Sequence, residues 1–395
     1  MQHTIKQELE LNAQFGANNY KPLPVAIATG KGVWVEDTEG NKYMDMLAAY
    51  SSLNQGHRHP KIISALKKQA DRLTISSRAF HNDKMGLFLE KLCTMTGFEK
   101  ALLMNTGAEA VETALKAVRK YAFIKKGITD GEIIACSNNF HGRTISVVSF
   151  STEPQYRDGF GPFTPGFKTA EYGSIKDMRS LVTDKTIAVI LEPIQGEAGV
   201  VVPPKNYLKQ VRELCDEKGL LMICDEIQTG FGRSGKMFAF EHAEIKPDLV
   251  VVGKALGGGV YPVSACLTSS EIMSVFNPGD HGSTFGGNPL GAAVGIAALE
   301  VLEKEKLVDK SRKFGKYFMG LLKTLTNPNI KEVRGKGLMI GLEMTEAARP
   351  YCEKLMQKGL LCKETHTYTI RFTPPLVITK AEIDKAFAII KEIIG

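Results

Sequence analysis

Long apolar runs are missing from this chain. None approaches the ~20 residues that a membrane-spanning helix requires, so no membrane anchor is expected. Blocks of basic residues interleaved with aromatics are missing too. The 50 Lys and Arg exceed the 43 Asp and Glu by a formal +7, but they are scattered, which argues against a nucleic-acid partner. Cysteine is sparse: seven residues, an odd number, with no C-x-x-C pair. Most lie in apolar runs, such as Cys224 in LLMICDE, and read as small buried hydrophobes of a reducing compartment. The opening MQHTIKQELELNAQFG has no apolar segment of signal-peptide length and is too acidic for a transit peptide, so a cytoplasmic location is expected. What is present, 43% hydrophobic and 24% charged residues over 395 positions, suits a globular protein with one large and one smaller unit.

Pattern along the chain points to an α/β fold. GKGVWVEDTEGNKYMDM reads as two short strands around a turn at Glu39–Gly40. HPKIISALKKQADRL reads as a helix starting near Pro60, with Ile62, Ile63, Leu66 and Leu73 on its apolar face. From about Ala101, short apolar runs (ALLM, EIIACS, TISVVSF, IAVILE, LLMICD, DLVVVG, PVSACL) alternate with helical stretches. Runs so uniformly apolar predict strands covered on both faces, hence a mainly parallel sheet. The character changes after Asn288. A long helix (PLGAAVGIAALEVLEKEKL) leads to strands near LMIGLEM and TIRFTPP and to a closing helix from Thr379. The expected division is an N-terminal segment 1–45, a large unit 46–287 and a small C-terminal unit 288–395.

Four stretches bring chemistry to strand ends. In DLVVVGKALGGG an apolar strand gives way to Lys254, and ligands of open α/β sheets collect outside the carboxyl ends of the strands. A lysine beside low-dielectric packing favours its neutral, nucleophilic form. Taken alone, it reads more readily as a surface lysine at a loop start. LLMICDE ends a second strand at Asp225, an anion placed to keep a ring nitrogen protonated, or else a structural acid. In NTGAEAVETALKAVRKYA a strand runs through Asn105 and Thr106 into a helix, whose first N–H groups make a cup for a phosphate dianion or a plain N-cap. NNFHGRT offers Phe140 and His141 to a flat ring and Arg143 to a carboxylate, unless Phe140 is core and Arg143 surface. Two other motifs carry nothing. GFGRSGKM (Gly230–Met237) mimics a P-loop but has Met237 where a Mg²⁺-binding hydroxyl belongs. His57-Arg58-His59 has no carboxylate or third histidine near it in sequence, so a loop role is expected and no metal.

Together these stretches resemble the class III aminotransferases of the type I pyridoxal-phosphate fold, over essentially the whole chain. D-E-I-Q-T-G-F-G-R-S-G followed by K-A-L-G-G-G carries most of the likeness. NNYKPLPV, AAYSSLNQGHRHP, EPIQGEAGVVVPP, HGSTFGGNPLG and IRFTPPLVI are most similar to the ornithine-specific members of that family. The resemblance implies pyridoxal 5'-phosphate held as a Schiff base on Lys254, with Asp225 on its pyridine nitrogen and Gln228 on its phenolic oxygen. It puts Phe140 against the ring with His141 beside it, and Thr106, Gly107 and Ala108 on the phosphate. Ser283 and Thr284 would reach that phosphate from the second subunit of a homodimer. Tyr20 and Arg143 would take the α-carboxylate of L-ornithine, Glu197 would mask Arg371 until 2-oxoglutarate binds, and Tyr50 would line the pocket. N-acetylornithine or another ω-amine is the alternative donor; Tyr50 favours ornithine, because acetylornithine enzymes tend to carry an aliphatic residue there.

Overall fold

The computed structural model describes residues 3–395. Its centre is a seven-stranded sheet in the order Lys100–Met104, Ser264–Thr268, Leu249–Val252, Leu221–Asp225, Thr186–Leu191, Glu132–Cys136, Phe167–Ala170. Five strands, from Leu249–Val252 to Phe167–Ala170, run parallel. Ser264–Thr268 is antiparallel to both of its neighbours, so Lys100–Met104 points the same way as the parallel five. Successive side chains of a strand face opposite sides. Val250 and Val252 enter one buried cluster while Leu249 and Val251 enter the other, and both faces are covered. That double burial is why these runs read as unbroken apolar segments.

Two segments depart from the expected pattern. TISVVSF forms a single helical turn, Ile145–Val148, and not a strand. Val147, Val148 and Phe150 are buried while Ile145 is 54% exposed, a one-sided pattern that a doubly covered strand would not show. Phe167–Ala170 takes the edge of the sheet instead, its half-buried Lys168 and Thr169 hiding it from an apolar-run search.

The helix Gly107–Lys126 covers one face. Thr106 and Glu109 cap its start reciprocally, and Gly127 ends it in the left-handed conformation at φ 67°. The helices Pro60–Ala70, Met85–Thr96 and Pro289–Lys304 pack together on the other face. Ile62 is fully buried there, whereas Leu73 lies beyond the helix end and is exposed. The strands Trp34–Asp37 and Lys42–Asp45 flank the turn at Gly40 as expected, joined by Ile27–Lys31 and, in parallel, Leu360–Leu361. A smaller antiparallel sheet, Ile330–Lys336, Met339–Met344, Thr369–Phe372, Lys363–Thr365, follows near the C-terminus, and Thr379 caps the last helix, Lys380–Ile394. Among the described residues no helix is long and apolar enough to cross a membrane and no metal-binding cluster occurs. The seven cysteines are free thiols, all buried except half-buried Cys93.

Candidate active site

The carboxyl edge of the sheet gathers the residues singled out above. Lys254 follows the strand Leu249–Val252 and opens a short 3-10 turn with its own backbone at φ 43°, a left-handed conformation that a side chain disfavours. It lines a cavity of about 360 Å³ with Asn105, Thr106, Gly107 and Tyr261. Burial pushes its amine below the ordinary lysine value, against the opposing pull of Glu197 and Asp225. No hydrogen-bond or ion-pair partner holds it among the described residues. An unengaged amine in a cleft, its hold on a proton weakened by burial, suits the work of a nucleophile and proton carrier.

Asp225 ends the neighbouring strand and is 4% exposed. One oxygen accepts from the Ile227 N–H at 3.0 Å and the other lies 2.7 Å from His141 Nδ1. Burial opposes charge on His141, yet the Asp225 hydrogen bond and charge hold the imidazole above its ordinary value. Glu192, which closes the strand Thr186–Leu191, was not singled out from the sequence. It accepts from Phe140 N at 2.9 Å and from Gly196 N at 3.3 Å, and so ties together the loops bearing Phe140 and Glu197. Burial, with Asp225 nearby, pushes its carboxyl up to about 7 despite the pull of His141. Its signal was available: like Asp225, it is an acid at the end of an apolar run.

At the head of the helix Gly107–Lys126, Glu109 already accepts from Asn105 N and Thr106 N, and Thr106 Oγ1 accepts from Glu109 N. The N–H groups of Gly107 and Ala108 remain for an anion. Glycines keep that corner tight: a Cβ on Gly107 would lie 2.9 Å from Ile227 Cδ1, and one on Gly142 would lie 2.9 Å from Ala108 Cβ. Asn105 Nδ2 donates to Ser283 Oγ of the same chain at 2.7 Å, while Thr284 is exposed.

The outer wall is made of Phe140, Tyr156 and Arg143. Phe140 and Tyr156 meet edge to face at 5.9 Å, and the Arg143 guanidinium lies 4.4 Å over the Tyr156 ring. Arg143 is exposed and has no carboxylate partner among the described residues. Tyr156 went unnoticed in sequence because nothing local marks it. The inner wall is the pair Arg371–Glu197, joined at 2.6 Å with Arg371 1% exposed. Burial works against the Glu197 charge, but Arg371 brings its carboxyl down to about 2. Gln228 binds both, donating to Glu197 at 3.0 Å and accepting from Arg371 at 3.2 Å. The Tyr50 ring covers the guanidinium at 4.9 Å. Tyr20 is 66% exposed, on a segment fastened by Arg349, which donates to the carbonyls of Lys21 and Pro22. The histidines of HRH find distant acids, His57 with Asp45 and His59 with Glu305. Arg233 of the P-loop look-alike is wholly buried on Asn54 and the carbonyls of Leu338 and Pro374.

Anion-ready N–H groups, a low-pKa lysine, a buried acid and the unpartnered buried Nε2 of His141 fit a phosphorylated, ring-nitrogen aldehyde. The aminotransferase class-III family model matches residues 15–394. The chain belongs to the class-III aminotransferases. The family works with pyridoxal 5'-phosphate, in keeping with these residues. The ornithine aminotransferase of Brevibacillus brevis is 59% identical over 388 residues, spanning 98% of this chain and 97% of that one. An ornithine aminotransferase structure from Toxoplasma gondii, described with partial pyridoxal-phosphate occupancy, superposes with TM-score 0.97 at 44% identity over 100% of this chain and 94% of its own. Acetylornithine aminotransferase from Elizabethkingia anophelis superposes with TM-score 0.90 at 43% identity over 99% of each chain.

Proposed function

We propose that this class-III aminotransferase moves the δ-amino group of L-ornithine to 2-oxoglutarate, giving L-glutamate 5-semialdehyde and L-glutamate. One observation carries the reading. Of the two guanidinium groups flanking the cleft, Arg371 is neutralised by Glu197 while Arg143 has no acid partner. A donor carboxylate would therefore find its cation at the outer wall, on Arg143, with the exposed Tyr20 as its second partner. The far end of the molecule, with its terminal amine, then points toward Lys254. 2-Oxoglutarate brings two carboxylates and needs two cations. Exchange of Glu197 for the incoming α-carboxylate frees Arg371 without leaving it unpaired in a buried site.

The bound cofactor supplies an electron sink for the substrate carbon. Asp225, oriented by His141, would keep the ring nitrogen protonated. Lys254 would hold the cofactor and, with its amine pushed below the ordinary lysine value by burial, would serve as the proton carrier at the reacting carbon. Phe140 and His141 would lie beside the ring, Gln228 would hold the phenolic oxygen, and Thr106, Gly107 and Ala108 would hold the phosphate. We further propose a cytoplasmic homodimer in which Ser283 and Thr284 of the partner subunit complete that cup. Exposed Thr284, with Phe285 48% exposed beside it, supports a second copy covering this loop. The division at 1–45, 46–287 and 288–395 is part of the same reading.

Similarity to an acetylornithine aminotransferase supports a second donor, N-acetylornithine or another ω-amine. A panel of L-ornithine, N-acetylornithine and other ω-amines with 2-oxoglutarate decides between them. Ornithine-dependent semialdehyde is expected; a clear preference for the acetylated donor would sink the ornithine reading.

A further inference from the structure

The segment that carries Tyr50 has a backbone its residues do not favour. Ala48, Ala49, Tyr50 and Ser51 all have positive φ, at 49°, 44°, 57° and 75°, and none is glycine. Four such residues in succession need an external restraint, because the left-handed region crowds Cβ against the backbone. Restraint comes from Asp45. One of its carboxylate oxygens accepts from Leu47 N and Ala48 N, each at 2.8 Å, and so fastens the entry to the turn. The other oxygen lies 2.7 Å from His57 Nε2. His57 is fixed in turn: its backbone pairs with Gly32 in both directions, and Gly30 leaves room for its ring, since a Cβ there would stand 3.0 Å away. Thr373, two residues after Arg371, closes the far side by donating to the carbonyls of Met46 and Leu47. The turn thus lies between the histidine brace and the strand that bears Arg371, with the Tyr50 ring on the guanidinium.

We propose that Asp45 and His57 are a positioning pair for donor selectivity. They hold the Ala48–Ser51 turn in its left-handed form, so that Tyr50 stays over Arg371 and the outer cation remains the preferred carboxylate site. The inference rests on the reading that Tyr50 and Arg371 face the substrate. Neither Asp45 nor His57 touches substrate or cofactor; each acts through Tyr50.

The test uses holoenzyme and follows the first half-reaction through the cofactor's visible absorbance, with L-ornithine and L-glutamate in separate runs. Asp45→Ala should lower the ornithine-to-glutamate ratio of kcat/KM by about tenfold. Asp45→Asn, whose amide oxygen still accepts both N–H groups, should keep the ratio within about twofold of the unchanged enzyme. In a Tyr50→Ala background Asp45→Ala should leave the ratio where Tyr50→Ala puts it, because coupled residues are non-additive. An equal fall for both donors, or the same fall without Tyr50, overturns the proposal. Should Asp45→Ala not fold, His57→Gln replaces it: a smaller fall in the ratio supports the pair, and an unchanged ratio overturns it. Hydrogen exchange gives a substrate-free readout, with faster exchange at Leu47 and Ala48 expected in either variant and unchanged exchange overturning the restraint. Failure of the ornithine reading itself would show separately, as a different preferred donor in the unchanged enzyme.

Discussion

Replacing Glu197 with glutamine removes the mask from Arg371 while keeping its shape. Holding the Glu197 carboxyl at about 2 against an ordinary 4.5 amounts, at about 1.4 kcal/mol per decade of acidity, to roughly 3 to 4 kcal/mol in favour of the charged form, net of the burial that opposes it. Arg371 is the largest favourable contributor, ahead of Lys254 and the Gln228 amide, so an effect on the order of ten- to thirtyfold rests on this pair. Glu197→Gln should therefore raise kcat/KM for L-glutamate in the half-reaction by about ten- to thirtyfold, as Arg371 becomes free to take an α-carboxylate. Ornithine should also begin to react through its α-amine, at the expense of semialdehyde. Stopped-flow absorbance with each donor alone, together with product analysis, measures both. A donor ratio within about threefold of the unchanged enzyme would refute the masking argument. The pH sign follows from the depressed carboxyl. Stabilisation by this pair is complete above the ordinary value near 4.5 and is lost only as pH falls through about 2. Across the neutral range the mask stays ionised, so donor preference should not drift with pH on its account.

Other expectations are more direct. Lys254→Ala should fold and still bind the cofactor, but turn over at least 10²–10⁴-fold more slowly, with partial rescue by a small added amine; near-normal turnover would remove Lys254 from its role. Asp225→Asn should weaken cofactor retention through gel filtration and cut activity by roughly 10²-fold, since the ring nitrogen loses its anion and His141 its partner; a loss below about tenfold would contradict that. Glu192 and Glu226, the fully buried acid next to Asp225 that accepts from Phe240 N, are both pushed up to about 7 by burial. Folded protein therefore binds protons that the unfolded chain has released, and these two groups lower stability as pH rises from near 4.5 to 7. Glu226→Gln should make the fall in urea midpoint between pH 5 and pH 8 shallower, and an unaltered slope would count against the burial argument.

Much of this site was legible because a parallel sheet delivers chemistry at strand ends, and strand ends are visible as apolar runs that stop. Asp225, Lys254 and the Asn105–Ala108 corner fall into that class. Residues whose roles depend on long-range pairing were not legible from pattern alone. Glu197 and Arg371 are 174 positions apart, and only the likeness to a family joined them before the structure put them at 2.6 Å. The Ala48–Ser51 turn escaped altogether, because no glycine or proline marks it. The Ile145–Val148 turn misled because β-branched residues favour strands, while burial on one side only decided for a helical turn.

The buried Arg233 has one more consequence. It rivets Asn54 to the carbonyls of Leu338 and Pro374, so the C-terminal sheet cannot pull away from the Asn54 segment without stranding a charge in the dry interior. Admitting two dissimilar substrates in alternation must then be a matter of rotating side chains such as Glu197 within a rigid frame. The protein should keep nearly one backbone outline whichever of them it holds.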